Sequence, residues 1–138
     1  MDVQKMELVV GDIKGNREIA YALLTATQPY FVNQNVIEEE GKLTIESLLT
    51  DEYYSWDKLT TMIDEEKLRH LINVGQLFNL LKDSIYTYEL SPSNLVFSRN
   101  GNPLFIFRGV KGQVPPYDAL NLEAFTVNFK AMIVSLLD

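Results

Sequence analysis

Several side chains in this chain belong to types that do chemistry when suitably placed. Glu89 and Asn94 flank Pro92 in the run YELSPSNLVFSRNGNPLFIFRG, residues 88–109. A carboxylate that accepts a proton and an amide that ligates a metal are two of the parts phosphoryl transfer needs, the third being a carboxylate that holds magnesium. His70, the sole histidine, sits beside Arg69 with no Ser or Cys nucleophile motif near it, so a surface or helix-packing role is expected. Glu38, Glu39 and Glu40 place three carboxylates together but lack the alternating ligand spacing of a calcium loop, so a solvated turn is expected and no metal. Tyr53, Tyr54 and Trp56 form an aromatic cluster before a helix. Such residues anchor partners, and they also staple helix entries into a core; both readings stay open here.

The run 88–109 resembles the stretch of a protein kinase that passes from the catalytic loop, H-R-D-L-K-P-x-N, to D-F-G. With Pro92 and Asn94 in register, the catalytic Asp falls on Glu89, the loop Lys on Ser91 and the D-F-G Asp on Phe107; Asn94 and Gly109 keep their identity. Phenylalanine cannot bind magnesium. Glu89 carries an extra methylene that moves its oxygens, and a displacement of about 1 Å costs roughly 100-fold in rate. Without its partner Asp, Asn94 after a proline is expected to fix its own loop through side-chain hydrogen bonds.

The rest of a nucleotide site is missing as well. Gly11 and Gly15 do not form a G-x-G-x-x-G cover, and neither precedes a Lys-Ser/Thr pair. Lys42, at the start of an expected strand, is the nearest stand-in for a nucleotide lysine and is expected to be solvated. The expectation is no catalytic residue, no cofactor, no bound ATP and no enzyme. The alternative is a divergent nucleotide-binding or residual kinase domain using Glu89 and Asn94.

The elements that must position these residues are mixed. Residues 6–10 read as a strand, followed by turn chemistry at Gly11-Asp12 and Gly15-Asn16. A helix is expected from Arg17 with a stripe of Ile19, Leu23, Ala26 and Tyr30, weakened at Pro29. Segments 31–37 and 42–48 flank Glu38-Glu39-Glu40-Gly41 as a hairpin with an acidic turn. Ser55 and Asp64 are expected N-caps, with Leu68, Leu71 and Ile72 forming an apolar face. A break at Asn73 and Gly75 precedes a short helix over 76–82. Strands are expected at 86–90, 95–98 and 103–107, the last two joined through Asn100-Gly101. Residues 109–117 read as a loop. Asn121 then caps a final helix striped with Leu122, Phe125, Phe129, Met132, Ile133 and Leu136.

At 138 residues, with 46% apolar and 22% charged side chains, the chain has the length and composition of one ordered domain that needs no staple. A net charge of −7 argues against nucleic acid, which is bound by clustered Lys and Arg. The absence of cysteine excludes disulfides and thiolate chemistry. No window approaches the about 20 apolar residues of a membrane span. The final helix ends at Asp138 while still reading as helix, so residues 1–138 are expected to be one domain cut from a longer protein.

Taken together, several segments resemble the N-terminal cytoplasmic domain of the EssB/YukC family, components of the type VII (WXG100-type) secretion machinery of Gram-positive bacteria. They are Gln28-Pro29-Tyr30-Phe31-Val32, Glu66-Lys67-Leu68-Arg69-His70-Leu71-Ile72-Asn73, Leu90-Ser91-Pro92-Ser93-Asn94-Leu95-Val96-Phe97, Arg99-Asn100-Gly101-Asn102-Pro103, Arg108-Gly109 and Phe129-Lys130-Ala131-Met132-Ile133. The resemblance implies an α+β, compact, protein-kinase-like (pseudokinase) fold of small antiparallel sheets and packed helices, without phosphotransfer. It further implies a parent held at the cytoplasmic side of the cell membrane by a single transmembrane helix, dimeric, and assembled with the membrane ATPase and other membrane subunits of the secretion channel. No catalytic residue is carried over, because the family has none.

Overall fold

In the computed structural model, which describes residues 2–138, the first half of the chain builds a three-stranded antiparallel sheet and one covering helix. The central strand β3 (Lys42–Leu49) alternates cleanly, burying Leu43, Ile45 and Ser47, the pattern of a strand packed on one face. It pairs with β1 (Asp2–Val9) from Asp2↔Leu49 to Val9↔Lys42, and on its other side with β2 (Gln34–Glu39). β1 therefore starts four residues earlier than the 6–10 expected, because every residue from Asp2 onward finds a partner on β3.

The acidic hairpin turn is tighter than expected. Glu38 and Glu39 belong to β2, opposite Leu43 and Lys42, and only Glu40 and Gly41 make the bend, at φ 50° and 81°. Two positive φ values in a two-residue turn match the twist of the flanking strands, and Gly41 adopts its value without steric cost. Residues 31–33 are not strand. Phe31 makes one isolated parallel bridge to Phe105 and drops its ring into the core.

Helix α1 (Arg17–Thr25) is capped by Asn16, whose side-chain oxygen accepts the Ile19 N–H at 3.1 Å. Its buried positions are Ala20 and Leu24, whereas Ile19, expected on the inner stripe, is 54% exposed. The helix is rotated by about one position from the expected stripe, so that small Ala20 rather than Ile19 faces inward.

The second half is a helical layer with short ribbons. After β4 (Tyr54–Ser55) and the one-turn α2 (Trp56–Leu59) come α3 (Asp64–Gly75) and α4 (Leu77–Leu81). Ser55 stands at the α2 N-cap, but its hydroxyl makes no cap hydrogen bond. Asp64 is the first helical residue of α3 and Ile63 the cap, so Asp64, Glu65 and Glu66 serve the helix dipole rather than a side-chain cap. Of the expected apolar face only Leu71 is buried; Leu68 and Ile72 remain on the surface.

β5 (Tyr86–Thr87), β6 (Leu95–Phe97), β7 (Pro103–Phe105) and β8 (Gly109–Val110) are shorter than the expected strands. With β4 they form one sheet of order β4-β6-β7 and a pair β5-β8, of which β8 lies inside what the sequence suggests is loop. α5 (Leu122–Leu137) is capped by Asn121, which accepts the Ala124 N–H at 2.8 Å, and buries Phe125, Met132 and Leu136 while Leu122 stays exposed. A large apolar cluster containing Leu24, Leu43, Leu59, Phe97, Phe105 and Met132 joins the two halves, and a small one of Val32, Val96 and Ile106 lies beside it.

Candidate functional site: the cleft between the two halves

Even-numbered residues of β1 point toward the second half, because successive strand residues alternate faces. Met6 and Leu8 overlook the inner end of a cleft, with Glu89, Ser93, Asn94, Phe107 and Arg108 opposite, around a cavity of about 390 Å³. Asp2 and Gln4 overlook its outer end, a groove of about 830 Å³ that takes in Tyr53, Tyr54 and Trp56. Ser93 borders both, so the two spaces adjoin.

At the inner end the degenerate motif is assembled around Asn94, which is 8% exposed in a turn spanning Pro92–Asn94. Its amide nitrogen donates to Glu89 O at 2.9 Å and to Phe107 O at 3.3 Å, and its oxygen accepts the Phe107 N–H at 2.9 Å. Its own carbonyl accepts the Ile106 N–H at 2.9 Å. The oxygen that would face a metal is thus turned onto the backbone. Position 107 offers a phenyl ring against the core, and Glu89 is exposed at the rim. Among the described residues no group of three or more acidic or histidine side chains is placed to hold a metal.

Gly109 has no room for a side chain. A Cβ there would overlap the Thr87 hydroxyl and lie 2.6 Å from the Pro115 carbonyl oxygen, so glycine is required by close approach rather than by φ. The Thr87 hydroxyl itself donates to Pro116 O, binding this end of the motif to the loop that follows. Tyr88 stacks on Phe105 with ring centroids 4.1 Å apart, and burial pushes its phenol up to about 12.

Arg108 is the residue whose role sequence reasoning missed. Only 2% exposed, it donates to the carbonyls of Ala26 (2.8 Å), Leu23 (3.4 Å) and Val32 (3.1 Å), and its guanidinium lies against the rings of Phe31 and Tyr86. Its fork therefore satisfies the carbonyls at the C-terminal end of α1, where a cation also suits the helix dipole. Burial lowers its pKa, and among the described residues no carboxylate forms an ion pair with it. The only sequence signal was its place directly before Gly109.

At the outer end the three aromatics have different fates. Trp56 is 7% exposed and belongs to the core, while Tyr53 and Tyr54 are half-buried. The Tyr54 hydroxyl lies 2.6 Å from His70 Nε2, and His70 Nδ1 lies 2.7 Å from Glu66 O. A carbonyl can only accept, so Nδ1 carries the proton and Nε2 accepts from Tyr54. His70 is fully buried, which overturns a surface position and leaves the helix-packing one. Burial raises the Tyr54 pKa, and the Arg69 hydrogen bond lowers that of Glu66. Arg69 and Asn73 also donate to Asn100 O and Gly101 O, tying α3 to the β6–β7 turn. Lys42 stands far from a nucleotide role: it is 68% exposed and reaches Glu7 at 3.9 Å.

Fold and cleft define a kinase-like α+β domain whose inner cleft carries Glu89, Asn94 and Phe107. The chain belongs to the YukC family: the model for the WXG100 protein secretion system (Wss), protein YukC, matches residues 9–138. It is 30% identical over 112 residues to the type VII secretion system protein EssB of Staphylococcus aureus strain USA300, and equally to that of strain Newman. That match covers 81% of this chain and 25% of the relative, so the chain spans about a quarter of the curated relatives' length. The crystal structure of the Staphylococcus aureus EssB cytoplasmic fragment superposes with a TM-score of 0.88 at 25% identity, covering 97% of this chain and 75% of that one. The Geobacillus thermodenitrificans EssB cytoplasmic fragment gives 0.83 at 17% identity, over 96% and 62%, a likeness of fold. Among the described residues no helix is long and apolar enough to cross a membrane.

Proposed function

We propose that this chain is a non-catalytic structural and protein-interaction domain of a type VII secretion apparatus. One observation carries the reading: Asn94, the one metal-ligating residue type the motif keeps, commits its amide to the backbone of residues 89 and 107, and position 107 offers no carboxylate. Its side chain serves the loop, not a magnesium ion. In this reading the domain is one part of a longer parent, anchored at the cytoplasmic side of the membrane by a single transmembrane helix. The parent in this reading is a homodimer that contacts the membrane ATPase and other membrane subunits; the family membership and the EssB relatives support its part in the secretion system. Calorimetric titration with magnesium-ATP is expected to give no binding heat, and micromolar binding would overturn the proposal.

A second reading, a divergent nucleotide-binding domain, draws support from the inner cavity of about 390 Å³ beside Glu89 and Asn94, a volume within the range of small-molecule sites. It requires that Glu89→Ala and Asn94→Ala abolish a nucleotide-dependent signal, and it fails if both variants leave that signal unchanged.

A further inference from the structure

We infer that the outer end of the cleft is a docking groove for an extended partner segment carrying lysine or arginine side chains. The inference rests on the reading of the chain as an interaction domain and specifies the chemistry of one partner.

The groove has a shape and a charge that agree. Its volume of about 830 Å³ is bounded by β1, the end of β3 at Leu49, β4 and β6, with Val96 and Ile106 of the small apolar cluster among its lining residues. Strands make part of its wall, and residues 50–53, α2 and the Pro92–Ser93 turn make the rest, with room between them for a chain in extended conformation. Asp2 and Asp57 contribute exposed carboxylates from two different elements, and neither forms an ion pair among the described residues. Among the described residues lining the groove there is no lysine, arginine or histidine, and Lys58 stands beside it over the Tyr54 ring. In a chain of net charge −7, the excess of carboxylates over cations among the described residues at the groove favours a cationic occupant and disfavours an anionic one.

The aromatics supply the second element of recognition. An ammonium group over a tyrosine face is attracted by the ring quadrupole, more so when partly desolvated. This groove already shows the interaction within the chain: Lys58 Nζ lies 5.0 Å from the centroid of the Tyr54 ring. Tyr53, half-buried beside it, bears no such cation among the described residues. A basic side chain entering between Tyr53 and the two carboxylates would meet a ring face and a counter-charge together. Trp56, the single tryptophan, lines the same groove from its buried position and reports on occupancy.

The test follows Trp56 fluorescence as the chain is titrated with a deca-lysine peptide and, separately, a deca-glutamate peptide, at low and high salt. Deca-lysine is expected to give a saturable change that weakens as salt rises, and deca-glutamate none. The double variant Asp2→Asn, Asp57→Asn is expected to bind deca-lysine about fivefold more weakly, from the loss of two exposed charge pairs. Tyr53→Ala is expected to lose affinity as well. The variant Glu39→Gln, Glu40→Gln removes the same charge at the distant hairpin and is expected to bind like the parent. Circular dichroism on every variant excludes unfolding as the cause. The inference is overturned if the hairpin variant weakens binding as much as the groove variant, or if deca-lysine leaves Trp56 unchanged. In either case the interaction-domain reading stands unless magnesium-ATP also binds, which separates the two failures.

Discussion

The two ends of the cleft hold polar and aromatic groups in opposite states. At the inner end, Asn94, Arg108 and Thr87 are buried and spend their hydrogen bonds on backbone carbonyls and N–H groups of the same domain. At the outer end, Tyr53 is half-buried and Asp2 and Asp57 are exposed. A group already satisfied inside the fold has little left to offer a ligand, whereas a partly exposed ring with carboxylates nearby has most of its interaction energy still to gain. The part of the chain that most resembles an active site thus turns its polar groups inward, and the part without a catalytic motif leaves carboxylates and a ring partly exposed.

That contrast predicts steeply graded stability effects. Gly109→Ala places a methyl against the Thr87 hydroxyl and the rigid Pro115 backbone, and is expected to cost about 3 kcal/mol in denaturant unfolding. A loss well below 1 kcal/mol would show that the 109–117 loop yields, and that the inner end is not locked.

Asn94→Ala strands the Phe107 N–H and the carbonyls of residues 89 and 107, for an expected loss of about 2 kcal/mol. Asn94→Asp should not rescue it, since an ionised carboxylate cannot donate to those carbonyls. Rescue by aspartate would instead favour a metal or nucleotide at this end.

Tyr54→Phe keeps the ring stacked on Phe97 but leaves Nε2 of buried His70 without its donor, and about 1 kcal/mol of stability is expected to go. This residue joins the two regions: its ring faces the groove, and its hydroxyl reaches the core of the second half.

The last effect is absent at neutral pH and confined to alkaline solution. Tyr88 is held neutral in the fold, pushed up to about 12 from 10.0, so the unfolded chain ionises first. Its contribution is complete below pH 10 and is lost as pH rises from 10 through 12. Tyr88→Phe should therefore flatten the fall of stability across that window, seen as the shift of the urea midpoint with pH.

Much of this was legible in the residues themselves. Periodicity located α1, α3 and α5, and for α5 the expected cap agreed, since Asn121 acts through a bond only three residues away, whereas the cap expected at Asp64 fell on Ile63. The hairpin at Gly41 and the turn at Gly101 follow from local turn chemistry. What the pattern misjudged depended on distant partners. The inward face of α1 went to Ala20 because of how the helix seats on the sheet, and β1 gained its first residues because β3 was there to pair with them. β8 has no signal of its own and exists through its pairing with β5, which lies inside the strand expected over 86–90. Leu68 and Ile72 have the spacing of a buried face yet lie on the surface, since periodicity says which residues share a face and not what covers it.

For the cleft, the same division holds. The residue type at 107 was sufficient by itself to remove a magnesium-binding carboxylate from that position, because no fold can make a phenyl ring bind magnesium. Only the tertiary structure decided that the Asn94 amide, expected to fix its own loop, also reaches Phe107, that Arg108 caps α1 from a position eighty-two residues away from Ala26, and that the Tyr54 hydroxyl donates to His70. Each of these depends on groups remote in the chain being brought within hydrogen-bond distance, and that proximity is a property of packing, which no local pattern encodes.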